Sequence, residues 1–152
     1  MTQDERQTYI NRSATECEKL FKTYLRNKIK FDLRYDWSPV LEQLKNPKGK
    51  TILNELKDYF DRDKNELPLG RIMHVIWTNW QFFEEDFKRY GIKNKGEFHC
   101  YLANLTRPRT VADHASAENY VDPSNNEIDD NQIKDFQYGY EKIKSCLDSI
   151  LN

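Results

Sequence analysis

Apolar residues recur at spacings of three and four along most of this chain, and no segment sustains apolar–polar alternation. Between residues 2 and 27, Ile10, Ala14, Cys17, Phe21 and Tyr24 fall about one turn apart. That spacing predicts a long amphipathic helix with one stripe for packing. Thr2 or Gln3, followed by acids, supplies its start. Ser38-Pro39 makes a cap and first-turn pair for a short helix, and "NPKGK" ends it. Ile52, Leu53, Leu56 and Phe60 form the next stripe.

The segment from 67 to 91 is the most hydrophobic. Leu69, Ile72, Met73, Ile76, Trp80, Phe83 and Phe87 trace a 3.6-residue period, with Trp77 beside them. We expect one helix here, central to the core, stopped at Gly91. Phe98, Tyr101, Leu102 and Leu105 predict a further helix. Pro108 is expected to end it or to start another, because proline lacks the backbone donor and crowds the preceding turn. After a polar loop over 121–131, Ile133, Phe136, Tyr140, Ile143 and Leu147 form a last stripe, mildly broken by Gly139. The expected fold is all-α: one domain over 1–152, a single bundle of about five to six helices.

Composition narrows the function classes. The 152 residues suit one domain, and 13% aromatic content supplies large core side chains. A net charge of −1 is not that of a general polyanion binder, so any nucleic-acid contact must come from a local cluster. Cys17, Cys100 and Cys146 are far apart and odd in number, which predicts reduced, partly buried thiols. His74 and the pair His99-Cys100 match no zinc spacing, so no metal or cofactor is expected. Glu84-Glu85 and Asp129-Asp130 read as surface and helix-start charges. The start of the chain has no apolar core of a signal peptide, and no apolar run nears the ~18 residues of a membrane span. A cytoplasmic protein without membrane contact is the expectation.

The candidate chemistry lies in "NLTRPRTVADHASAE", residues 104–118. Arg109 falls in or near a first helical turn if a helix begins at Pro108, where free N–H groups favour an anion. Its guanidinium suits phosphate, and His114 can exchange a proton near neutral pH. On a helix, Arg109 and His114 are separated by about 140° and about 7.5 Å of rise. Arg107 and His114 nearly share a face, about 10 Å apart. Both spans suit a bridging phosphate better than direct contact. The same residues also read as surface ion pairs, since Arg109–Asp113 and His114–Glu118 are i, i+4. "DFKRYGIKNKGE" adds Lys88, Arg89, Lys93 and Lys95, either a solvated helix end or contacts to a nucleic-acid backbone.

"RTVADH" and "RPRTVADH" place an arginine four or six residues before a histidine, on a late helix that follows a Trp- and Phe-rich one. This order resembles the HEPN superfamily of all-helical, RNA-associated domains. It is closest to a branch that includes the C-terminal domain of an RNA-surveillance endoribonuclease. The resemblance covers about residues 65 to 150. It implies a metal-independent endoribonuclease in a defence (antiviral) or toxin–antitoxin setting, acting as a homodimer on single-stranded RNA, with an antitoxin or another protein as a further partner. Arg109 and His114 are then the catalytic pair. Arg107, Thr110, Lys88, Arg89, Lys93 and Lys95 are then substrate contacts. Active members commonly carry Asn, Asp or His where Thr110 stands here. Threonine hydrogen-bonds but does no proton chemistry. The alternative is therefore a non-catalytic HEPN module for RNA binding, dimerisation or protein interaction.

Overall fold

The computed structural model describes residues 1–29, 43–46, 48–50, 56, 69–115 and 127–152, with the backbone alone over 109–115. Five helices form the described fold, and it contains no strand: α1 (Gln3–Ile29), α2 (Leu69–Thr78), α3 (Trp80–Arg89), α4 (Lys95–Ala115) and α5 (Asp130–Leu151). The expected all-α bundle is what the chain builds. The short helix after Ser38-Pro39 and the positions Ile52, Leu53 and Phe60 lie outside the described residues. Leu56 is helical and buried.

α1 starts at Thr2, whose hydroxyl accepts from the N–H of Glu5 at 3.1 Å and whose carbonyl accepts from Arg6 N–H at 3.0 Å. That satisfies donors the first turn leaves open. Its whole stripe, Ile10, Ala14, Cys17, Phe21 and Tyr24, is buried. α5 starts with a reciprocal capping box. The Asp129 carboxylate accepts from Gln132 N–H at 2.7 Å, and the Gln132 side chain accepts from Asp129 N–H at 2.9 Å. Just before it, Ile128 is buried and tied to α1. The Gln3 amide pairs with both backbone groups of Ile128, at 3.0 and 2.9 Å, and Arg6 donates to the same carbonyl at 2.7 Å. Arg6 also forms an ion pair with Asp130.

Two expectations about helix limits are corrected. The segment from 69 to 89 is two helices, broken at Asn79, which has φ −111° and ψ 34°. The Asn79 side chain holds the backbone of Lys45. Its Oδ1 accepts from Lys45 N–H at 2.7 Å, and its Nδ2 donates to Lys45 C=O at 2.9 Å and to Val75 C=O at 2.8 Å. Periodicity misses this break because Ile76, Trp80 and Phe83 are buried on both sides of it. The second correction is Pro108. It neither ends nor starts a helix, but sits inside α4. An interior proline costs about 3 kcal/mol. Pro108 is itself buried and extends the stripe of Phe98, Tyr101, Leu102 and Leu105 by three more residues, so packing offsets part of that cost.

The end of α3 meets its expectation. Gly91 has φ +106°. Ile92 N–H bonds to Phe87 C=O at 2.9 Å and Gly91 N–H to Lys88 C=O at 3.5 Å. This is a Schellman stop, with Phe87 and Ile92 both buried as its hydrophobic contact. Within "NPKGK", Gly49 N–H bonds to Asn46 C=O at 2.9 Å. Asn46 bonds to Lys48 and Lys50 through its side chain, and Gly49 takes φ +77°.

The closest packing lies between α4 and α5, with α1 against both and α2 against α4. The aromatic segment is thus not the sole centre of the core. α3 contributes a ring cluster at one end, where Trp80, Phe87 and Phe98 pack at centroid distances of 4.9 to 5.8 Å and Tyr24 meets Phe83 and Phe87. α4, the helix that carries the candidate residues, is therefore held on several sides.

Candidate nucleic-acid interface

The start of α4 is fixed by Asn94, whose side chain accepts from Glu97 N–H at 2.8 Å and whose carbonyl accepts from Phe98 N–H at 3.1 Å. From there the helix runs unbroken to Ala115. Arg107, Arg109, Thr110 and His114 consequently belong to one helix. Arg107 is exposed. The side chains of Arg109, Thr110 and His114 lie outside the described residues. Along the backbone, Arg109 and His114 are offset by about 140° and 7.5 Å, whereas Arg107 and His114 are offset by only about 20° and 10.5 Å. By helical register, Arg107 is the better aligned with His114.

The second group of candidates does not act as one cluster. Lys88 and Arg89 end α3, where cations suit the helix dipole. Lys88 forms an i, i+4 ion pair with Glu84, so its charge is already balanced. Arg89 and Lys93 are exposed. Lys95 is different. Its ammonium stands 3.9 Å from the ring centroid of Trp77, on α2. His99, one turn further along α4, brings its ring to 6.2 Å from the same indole at an angle of 54°. Trp77 is 41% exposed, on the side of α2 that also exposes His74. Glu97, the acid between Lys95 and His99, accepts from the Tyr101 hydroxyl at 3.1 Å.

Lys95 also stands on the edge of an open cleft of about 720 Å³, lined by Gln43, Thr78, Asn79, Gln81 and Glu84 among others. The Thr78 hydroxyl oxygen is buried there and has no hydrogen-bond partner among the described residues. Trp77 and His99 were not singled out as a pair by the sequence. The available signal was twofold: an indole one step off the stripe of Ile72 and Ile76, and a Lys and His at i, i+4 opposite it.

The three thiols differ. Cys17 and Cys146 are buried, and burial pushes each up to about 12. Cys100 is exposed. Among the described residues no group of His, Cys, Asp and Glu could hold a metal ion, and no helix is long and apolar enough to cross a membrane. No family model, curated protein or solved structure matches the chain.

Proposed function

We propose that this chain is a HEPN-like domain that cuts single-stranded RNA without a metal, with Arg109 and His114 as its catalytic pair. The observation that supports the reading most is the continuity of α4 from Lys95 to Ala115 across Pro108, which keeps arginine and histidine at a fixed helical offset. RNA carries its own nucleophile. A histidine takes the proton of the 2′-hydroxyl, and the freed oxygen attacks the adjacent phosphorus. The bond from phosphorus to the 5′-oxygen breaks, and that oxygen takes a proton from a second histidine. The products are a 2′,3′-cyclic phosphate and a 5′-hydroxyl. One histidine cannot serve both ends at once, so the scheme needs two copies of the chain in one cleft. Arginine neutralises the charge that grows on the phosphate.

Thr110 favours a second reading, a HEPN module that binds RNA or a protein partner without cutting, because it replaces a residue able to assist the reaction. Both readings predict a homodimer in light scattering. Only the first predicts turnover. The deciding experiment is cleavage of single-stranded RNA in EDTA, with Arg109→Ala and His114→Ala as controls of native fold. Expected is chelator-resistant cleavage that both substitutions abolish. Loss of activity in chelator, or full activity in His114→Ala, rejects the nuclease reading.

A further inference from the structure

Trp77 is a large aromatic ring that the fold leaves 41% exposed, and among the described residues the Lys95 ammonium stands over it at 3.9 Å. An exposed cation–π contact is worth about 0.5–1 kcal/mol. A nucleic-acid base stacked on an aromatic side chain is worth about 1–3 kcal/mol. A base can therefore displace the Lys95 ammonium from the indole face at a net gain. The displaced cation then finds a partner in the phosphate of the same nucleotide. The His99 ring stands 6.2 Å from the indole and is tilted 54° to it, so it is not stacked flat on the ring.

We propose that Trp77, Lys95 and His99 form a stacking platform for a base of single-stranded nucleic acid, with Lys95 and Lys93 taking the backbone phosphates. Charge supports this partner over a protein one. Lys93, Lys95 and His99 lie on one short stretch, and its only acid, Glu97, is engaged by Tyr101. Glu84, an acid that lines the adjoining cleft, is paired with Lys88. Duplexes are excluded, because their bases present no free face to a protruding indole.

The platform is about 22 Å along α4 from His114, measured as helical rise from His99. It does not depend on Arg109 or His114 and stands if the domain does not cut. For that reason the test uses fluorescein-labelled oligothymidylate, which has no 2′-hydroxyl to attack, alongside oligouridylate and a duplex of mixed sequence. Expected are saturable, salt-sensitive binding of both single strands and weaker binding of the duplex. Trp77→Ala should weaken single-strand binding about tenfold, Trp77→Phe should retain most of it, and Lys95→Gln should reduce the salt slope by about 0.7. Wild-type affinity in folded Trp77→Ala, duplex binding as tight as single-strand binding, or a closed Trp77–Lys95 contact that no oligonucleotide perturbs would each overturn the proposal. If Trp77→Ala does not fold, Trp77→Phe and Lys95→Gln decide: loss of binding in the former or an unchanged slope in the latter overturns it.

Discussion

A methyl group added to Gly139 on α5 would sit 2.8 Å from the backbone carbonyl oxygen of Tyr101 on α4. The next nearest atom, the Cβ of Asn104, would be 3.1 Å away. Gly139 is therefore a point of close approach between the two helices, and not only the mild break in a stripe that its position suggests. On an isolated helix Gly139→Ala would gain about 1 kcal/mol from propensity. Here the obstacle is backbone, which cannot swing aside, so overpacking of about 1–3 kcal/mol dominates. We expect Gly139→Ala to be destabilised by up to about 2 kcal/mol, read as a fall in Tm of up to about 8 °C. A rise in Tm would show that α4 and α5 separate without cost.

Asn79 makes a second claim on stability that periodicity does not reveal. Its side chain supplies three hydrogen bonds, two of them to the backbone of Lys45. Each is worth about 0.5–1.5 kcal/mol, and Asn79 is partly exposed. Asn79→Ala should cost about 1–2 kcal/mol and should speed hydrogen exchange at the Lys45 amide first. Asn79→Asp keeps the acceptor for Lys45 N–H but loses both donors, so its Lys45 amide should stay better protected than in the alanine variant.

The buried thiols and phenols set the response to alkali. Burial pushes Cys17 and Cys146 up to about 12, and burial with a carboxylate partner raises Tyr24 and Tyr140. Tyr24 donates to Asp86 at 2.8 Å and Tyr140 to Glu16 at 2.6 Å, and both bonds need the protonated phenol. Between the ordinary thiol value near 9 and the folded value near 12, the folded chain holds protons the unfolded chain has released. Its stability must then fall as pH rises, by about 1.4 kcal/mol per pH unit for each such proton. The contribution is complete below about pH 9 and is lost by about 12. Urea midpoints that stay flat across that window would contradict the burial of these groups. At pH 8 a thiol reagent should modify Cys100 at once, and Cys17 and Cys146 only on unfolding.

What the residues revealed in advance, and what they did not, follows from the range of the interactions. The stripes of α1 and α5 were legible because burial on a helix repeats every three to four residues, and each stripe is buried as spaced except at Tyr140, which is partly buried. The Gly91 stop was legible because its backbone conformation belongs to glycine itself. Asn79 and Pro108 were misread for one reason. Each depends on a partner remote in sequence: the Lys45 backbone for one, the packing that holds α4 together for the other. The candidate site divides the same way. Arg107, Arg109 and His114 were visible as a spacing along one helix. The Trp77 platform needs α2 and α4 side by side, which no spacing within either helix encodes.

Pro108 offers a test that joins fold to proposed chemistry. Pro108→Ala returns an N–H to the interior of α4 and removes a penalty of about 3 kcal/mol. Against this stand the two methylenes it deletes from a buried position, about 0.8 kcal/mol each. The balance is about 1 kcal/mol of added stability, or about 2–4 °C in Tm. The same change frees the turn that separates Arg107 from His114. If the proline is only a tolerated core residue, RNA cleavage keeps its rate as Tm rises. If it fixes the offset between the arginines and His114, cleavage falls while Tm rises, and oligothymidylate binding at Trp77 stays as it was. We expect the second pattern, because a helix that retains an interior proline at such cost, beside two arginines and a histidine, gains nothing from it in stability.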